Sequence, residues 1–268
     1  MKFLSKFYIG IVFFLLYIPI AVLIVFSFNG AGSLAEFSGF TFDWYAELFQ
    51  DEEAFSSLKN SLILAVCSSV IATVIGTFGA LGLHRMRNRY AKAAINSMTN
   101  VPMMNPDIVT GVSIMLLFVA LAGILGSNSI FGFGTMLVAH ITFNLPYVLL
   151  SVMPRFKQLD KSLSEAAQDL GCTPARAFFK VELPQIVPGI VSGLMLGFTM
   201  SLDDFAVTFF TRGTIGLDTL STYIYTDARK GGLTPELRPM ITIMFLGILI
   251  LLIIINLRKI RNTRNAVE

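Results

Sequence analysis

Three carboxylates stand in sequence that is otherwise apolar: Asp107 in "NPDIV", and the adjacent Asp203 and Asp204 in "MSLDDFAV". No Lys or Arg lies within seven residues of the Asp203–Asp204 pair, and Asp107 is the one formal charge between Ala93 and Pro154. A charged side chain at the centre of a membrane helix costs about 2.5–3.5 kcal/mol. Unpaired acids at that depth therefore need a compensating interaction. A proton or a partner chain could neutralise them, or they could face a wet path used by a cation. Ionisable groups at membrane depth commonly mark substrate or ion routes, and the negative sign selects a cationic cargo. Helix-end capping is the competing reading for each Asp.

The elements that must position these acids have their own signals. Gly189, Gly193, Gly197 and Ser201 recur every four residues, a small-residue stripe that allows close helix approach. In a regular helix Asp204 falls on this stripe and Asp203 beside it. Ser201, Asp203 and Asp204 are thus assigned to one pathway with Asp107, and the three glycines to helix packing. Asp107 follows Pro102 and Pro106, which interrupt backbone hydrogen bonds. It is placed either at depth in a broken span or at the start of a shorter one, near water. His140 and Asn144 read as interhelical hydrogen-bonding residues. The one Trp, Trp44, sits beside Tyr45 and between Asp43 and Glu47. It reads as an interfacial anchor or as an aromatic surface for ammonium groups.

The chain is 54% hydrophobic and only 14% charged over 268 residues. Soluble domains carry about a quarter charged residues, so the expectation is an all-α polytopic membrane protein forming one domain over residues 1–268. Six stretches are long enough to cross about 30 Å of hydrocarbon: 8–28, 61–83, 101–125, 134–153, 186–210 and 240–257. With the N-terminus inside, fifteen of the 20 Lys and Arg fall on inner segments. This bias puts both termini in the cytoplasm of a multi-pass protein of the inner membrane. The first span is too long for a signal-peptide core and reads as uncleaved. Cys67 and Cys172 fit no metal or redox spacing.

The inner loop at 161–184, containing "SLSEAAQDLGCTPARAFFKVELP", carries two helix signals. Ser162 and Glu165 have capping-box spacing, and Gly171 suits the left-handed position that ends a helix. Thr173 caps a second helix with Pro174 at its first position, and Pro184 allows a further break before the fifth span. Ala166 and Ala167 leave one face open to close approach by another protein.

Glu165, Ala166, Ala167, Gly171, Val181, Leu183 and Pro184 together resemble the signature "EAA" loop of ABC importer permease subunits, with Val181 where the family usually has Ile. "SFNG", "FTFDWYAELF", "NPDIV", "HITFNLPYV", "SLDDF" and "TLSTYIYTDARKGGLTPEL" are similar to permeases of the spermidine/putrescine (PotC) type. The resemblance implies the type I importer permease fold with a cytoplasmic coupling helix that docks on an ATPase. It implies three partners: a second permease in a heterodimer, an ATPase dimer that holds ATP and Mg²⁺, and an extracytoplasmic polyamine-binding protein. This chain would bind no cofactor or metal itself. The expected function is polyamine import by alternating access, with Trp44 at the entry and Asp107, Ser201, Asp203 and Asp204 along the path. The alternative within the class is a permease for another cation such as ferric iron. An autonomous channel or secondary transporter would need no ATPase dock. No HExxH or GxSxG pattern suggests a membrane enzyme, and no Walker pattern suggests nucleotide binding by this chain.

Overall fold

The computed structural model describes residues 2–32, 36–126, 130–213, 217–231 and 234–265. The described residues are helical almost throughout. They run α1 Lys2–Phe26, α2 Asp43–Leu48, α3 Glu52–Arg85, α4 Arg89–Met104, α5 Asp107–Leu125, α6 Phe133–Gln158, α7 Lys161–Asp169 and α8 Pro174–Ala177. A π turn over Phe178–Glu182 leads into α9 Leu183–Asp203, followed by α10 Ala206–Thr211, α11 Leu220–Gly231 and α12 Leu237–Asn265. Among the described residues five helical stretches are long and apolar enough to cross a membrane: Lys6–Phe26, Glu52–Arg85, Asp107–Leu125, Phe133–Gln158 and Pro174–Asp203. A shorter apolar stretch, Leu237–Leu251, is the sixth.

Two expected spans are not single helices. The third, placed at 101–125, begins as a spanning helix only at Asp107. Pro106 has no N–H and its ring disfavours helical backbone before it, so Asn105 is extended (φ −81°, ψ 143°) and α4 ends. Pro102 is accommodated inside α4. The fifth, placed at 186–210, stops at Asp203. Asp204 is extended (φ −62°, ψ 127°), and α10 starts anew after it. In the loop the order reverses, because the break allowed at Pro184 does not occur. Instead the Leu183 N–H reaches back five residues to the Phe178 carbonyl, and the widened turn carries the chain into α9.

The chain divides into two compact units, 1–55 with 223–268, and 56–222. In the second unit α6 and α9 pack along their length. Val148, Val152, Phe156 and Ile186 are fully buried there with Ala72 and Ala80 of α3. The glycine row makes this contact possible. A Cβ on Gly189 would lie 2.6 Å from the Arg155 Cγ and 2.9 Å from the Ser151 carbonyl oxygen. Gly193 faces Val148 and Ser151, and Gly197 faces Asn144 and Ser69. From α3, a Cβ on Gly76 would lie 2.6 Å from Val148. Val148 is thus held between glycines of two helices.

In the first unit the chain after α1 is organised by Asn29. Its side chain donates to the Glu36 carbonyl and accepts from the Ala31 and Ser38 amides. The Trp44 indole N–H donates to the Asn29 carbonyl at 2.7 Å. Tyr45 hydrogen-bonds Ser27 and stacks on Phe28. Arg238 at the start of α12 is buried and donates to the Ala31 and Gly32 carbonyls.

Gly189→Ala is therefore expected to destabilise the protein by about 1–3 kcal/mol through overpacking. Gly82→Ala, which meets open space in α3, should be neutral or stabilising by up to about 1 kcal/mol. Thermal unfolding of the two variants in detergent checks the contrast, and equal effects would contradict it.

Candidate functional site

Within the second unit the two interrupted helices bring the acids together. Asp107 occupies the first turn of α5. One turn later, on the same face, Gly111 presses against α10. A Cβ there would lie 2.9 Å from the Ala206 carbonyl oxygen and 3.0 Å from the Phe210 ring. This approach sets the start of α5 beside the α9–α10 junction. Among the described residues, no Lys or Arg forms an ion pair with any of the three acids.

The adjacent aspartates have different surroundings. Asp204 is buried (8% exposed). Its Oδ1 accepts from the Val207 amide at 3.2 Å, and its Oδ2 accepts from the Thr208 amide at 2.8 Å and the Thr208 hydroxyl at 3.0 Å. In a continuous helix those two amides would bond to the carbonyls of residues 203 and 204. Asp side chains compete with the backbone in this way and so favour caps over helix interiors. The regular helix assumed for residues 186–210 therefore does not exist at the acids, yet Asp204 is still the inward, buried member of the pair. Asp203, the last residue of α9, is exposed and makes no cap.

A chain of hydrogen bonds runs inward from Asp204. His140 Nε2 lies 3.0 Å from the Thr208 hydroxyl and 3.6 Å from Asp204 Oδ2. His140 Nδ1 lies 2.6 Å from the Ser201 hydroxyl, which is 3.0 Å from Ser68, and Asn144 donates to Ser68. Ser201 is buried in this chain rather than lining an open path. Sequence reading missed Thr208 as Asp204's partner; the available signal was the Asp-x-x-x-Thr spacing. Trp44 lies in the other unit, with its indole N–H committed to Asn29.

The inner loop forms a second candidate surface. Its first helix, α7, is capped by Asp160, whose carboxylate accepts from the Ser162 amide at 3.0 Å. The expected Ser162–Glu165 box does not form, because a carboxylate two residues earlier on extended backbone takes the N-cap position. That hydrogen bond holds the Asp160 carboxyl below its ordinary pKa. The far end matches the sequence expectation. Gly171 has φ +88°, its amide bonds to the Gln168 carbonyl, and the Cys172 amide bonds to that of Ala167. These paired bonds form a Schellman cap. Thr173 caps α8 by accepting from the Arg176 amide, with Pro174 next to it. Leu183 packs on the buried cluster containing Phe178, while Pro184 is exposed. Glu165 and Ala166 are exposed and Ala167 is half-buried; Leu163 and Leu170 share the face of Ala166 and Ala167 at helical spacing, with Glu165 on another side. Leu170 is 88% exposed, so α7 presents an apolar edge that this chain leaves uncovered. Leu163 and Leu170 were missed because the sequence signal rested on the small residues between them.

The comparisons with known proteins agree with one another. Residues 72–264 match the family model described as "Binding-protein-dependent transport system inner membrane component". The chain is 37% identical over 232 residues to the putrescine transport system permease protein PotI of Escherichia coli, covering 87% of this chain and 82% of that protein. It is 35% identical over 260 residues to the spermidine/putrescine transport system permease protein PotC of Haemophilus influenzae, covering 97% and 98%. Among solved structures, a bacterial ABC transporter involved in import of the acidic polysaccharide alginate superposes with a TM-score of 0.74 at 18% identity, over 97% of this chain and 95% of that one. An amino acid ABC transporter superposes with a TM-score of 0.59 at 21% identity, over 82% and 98%. The likeness to these structures establishes the permease fold.

The two aspartates should separate on stability. Asp204→Ala frees the Val207 and Thr208 amides and is expected to cost about 1–3 kcal/mol. Asp203→Asn should stay within about 0.5 kcal/mol of the parent. Unfolding midpoints of the purified variants measure this, and an Asp204→Ala variant as stable as the parent would contradict the capping role.

Proposed function

The chain belongs to the inner membrane components of binding-protein-dependent transport systems, and from that premise we propose a polyamine importer in which its exposed carboxylates meet the cargo. It is a transport permease subunit of an ABC importer and not an enzyme. Its similarity to PotI and PotC over most of its length makes the cargo putrescine or spermidine. The fold alone does not choose the cargo, since a structure of the same fold serves an acidic polysaccharide. The observation that carries the cationic reading is the placement of Asp107 and of the Asp203–Asp204 pair beside one helix contact, that of Gly111 with Ala206, without a Lys or Arg ion-paired to any of the three among the described residues. A flexible chain of ammonium groups supplies the missing positive charge. Asp203 and Asp107, both exposed, are the contacts, and Asp204 acts from behind as the cap that holds them there. Trp44 is assigned to the outer entry.

Transport follows the alternating-access scheme of the resemblance. A second permease completes the path, and an extracytoplasmic binding protein delivers the polyamine. ATP and Mg²⁺ are held by a separate ATPase dimer. Both termini lie in the cytoplasm. The ATPase docks on α7, where Ala166 and the exposed Leu163 and Leu170 form one edge and Glu165 stands exposed on another side of the helix. The Schellman cap at Gly171 fixes where that helix ends, and a side chain at φ +88° would be strained.

Reconstitution of this chain with its partner permease, ATPase and binding protein tests the assignment. Spermidine or putrescine should stimulate ATP hydrolysis and accumulate inside the vesicles, whereas ferric iron should do neither; stimulation by ferric iron alone would contradict the proposal. In the same vesicles Asp203→Asn should lower uptake at least tenfold with the complex assembled. Glu165→Lys and Gly171→Trp should abolish uptake while the membrane helices remain folded, and normal uptake in either would remove the docking role from α7.

A further inference from the structure

The side chain of Glu182 joins three elements of the second unit. It projects from the π turn, and its carboxylate is approached by the Arg85 guanidinium at 3.2 and 3.3 Å, one contact to each oxygen. The Ser164 hydroxyl donates to Oε1 at 2.8 Å. Arg85 is the last residue of α3, and Ser164 lies on the inward side of α7. The Arg85 guanidinium also lies 5.9 Å from the centre of the Phe178 ring, which is buried in the core of this unit. Glu182 is much the less exposed partner, at 13% against 47% for Arg85. Among the described side chains of α7, Ser164 and Ala167 are the partly buried ones.

We propose that Glu182 is the positioning residue that makes the docking helix move with α3. The inference rests on the importer reading and adds to it the route by which force applied to α7 enters the membrane. A push on α7 reaches Glu182 through Ser164 and α3 through Arg85. It reaches α9 through the backbone, because the π turn is continuous with that helix. The widened turn gives the carboxylate its place. A helical turn of this kind rotates the residues beyond it, so Glu182 faces Arg85 and Ser164 while Ile186 still points into the core. With the carboxylate neutralised, α7 keeps its caps and its docking face but loses its tie to α3.

Two measurements on the assembled transporter test this. In the first, polyamine moved per ATP hydrolysed is compared across variants. Glu182→Gln and Arg85→Glu should each lower the ratio at least fivefold with ATPase binding retained, and the combined Arg85→Glu, Glu182→Arg swap should recover half or more of it. In the second, nitroxides replace Arg87 and Asp169 in a chain whose Cys67 and Cys172 are alanine. The distance distribution between them should broaden in Glu182→Gln and narrow again in the swap. Unchanged ratios and unchanged distributions in the single variants would overturn the inference. So would a swap that recovers neither, because a merely local structural loss would not be repaired by exchanging the charges. If the parent complex moved no polyamine, the importer reading would fail on that result, while the distances would still decide whether Glu182 ties α7 to α3.

Discussion

Backbone groups freed by a helix break at membrane depth have no water to turn to, so some other part of the protein must satisfy them. The site follows from that constraint. Asp204 supplies acceptors to the Val207 and Thr208 amides, which lets α9 end and α10 begin inside apolar sequence. Pro106 achieves the other interruption by having no amide to satisfy. Where the two breaks meet, at the close approach of Gly111 to Ala206, Asp107 and Asp203 are presented without a basic partner among the described residues. An acid buried as a cap beside two exposed acids is a division of labour. One carboxylate fixes the backbone, and the others remain available to a cation.

The same logic extends to the loop. α7 is a short helix of nine residues, too short to be stable alone in water. Its start is held by Asp160 and its end by the left-handed Gly171, and Ser164 is pinned to Glu182. The helix can therefore leave Leu163 and Leu170 uncovered without unravelling. An exposed apolar edge on a helix fixed at both ends is what a docking partner requires. The Ser164–Glu182 hydrogen bond then links that helix to the continuous path of α8, the π turn and α9, which ends at the acids.

Much of this was legible in the sequence where the signal is local and chemical. Gly171 was readable because few residues other than glycine accept a left-handed backbone. The Gly189–Gly193–Gly197 row was readable because its period equals one helical turn. The break at Asp204 was not, because apolar residues run on to Phe210 and hydropathy cannot register a side chain capturing two amides. The cap at Asp160 was hidden by the Ser162–Glu165 spacing, which imitates a capping box. The tie between Arg85 and Glu182 joins residues 97 positions apart, and nothing in the local pattern of either predicts the other. Six spans followed from composition, whereas the two that are interrupted did so at Pro106 and Asp204, the residues beside the site.

The central claim is that a polyamine passes against the exposed carboxylates at the junction of α5, α9 and α10. The most direct measurement uses a spermidine derivative carrying a photoreactive diazirine, irradiated with the reconstituted complex trapped during turnover by ATP and vanadate. Peptide mapping should place the label on residues 105–111 and 200–208, and unlabelled spermidine should compete it away. Labelling that spares both segments while the complex is transporting would contradict the account.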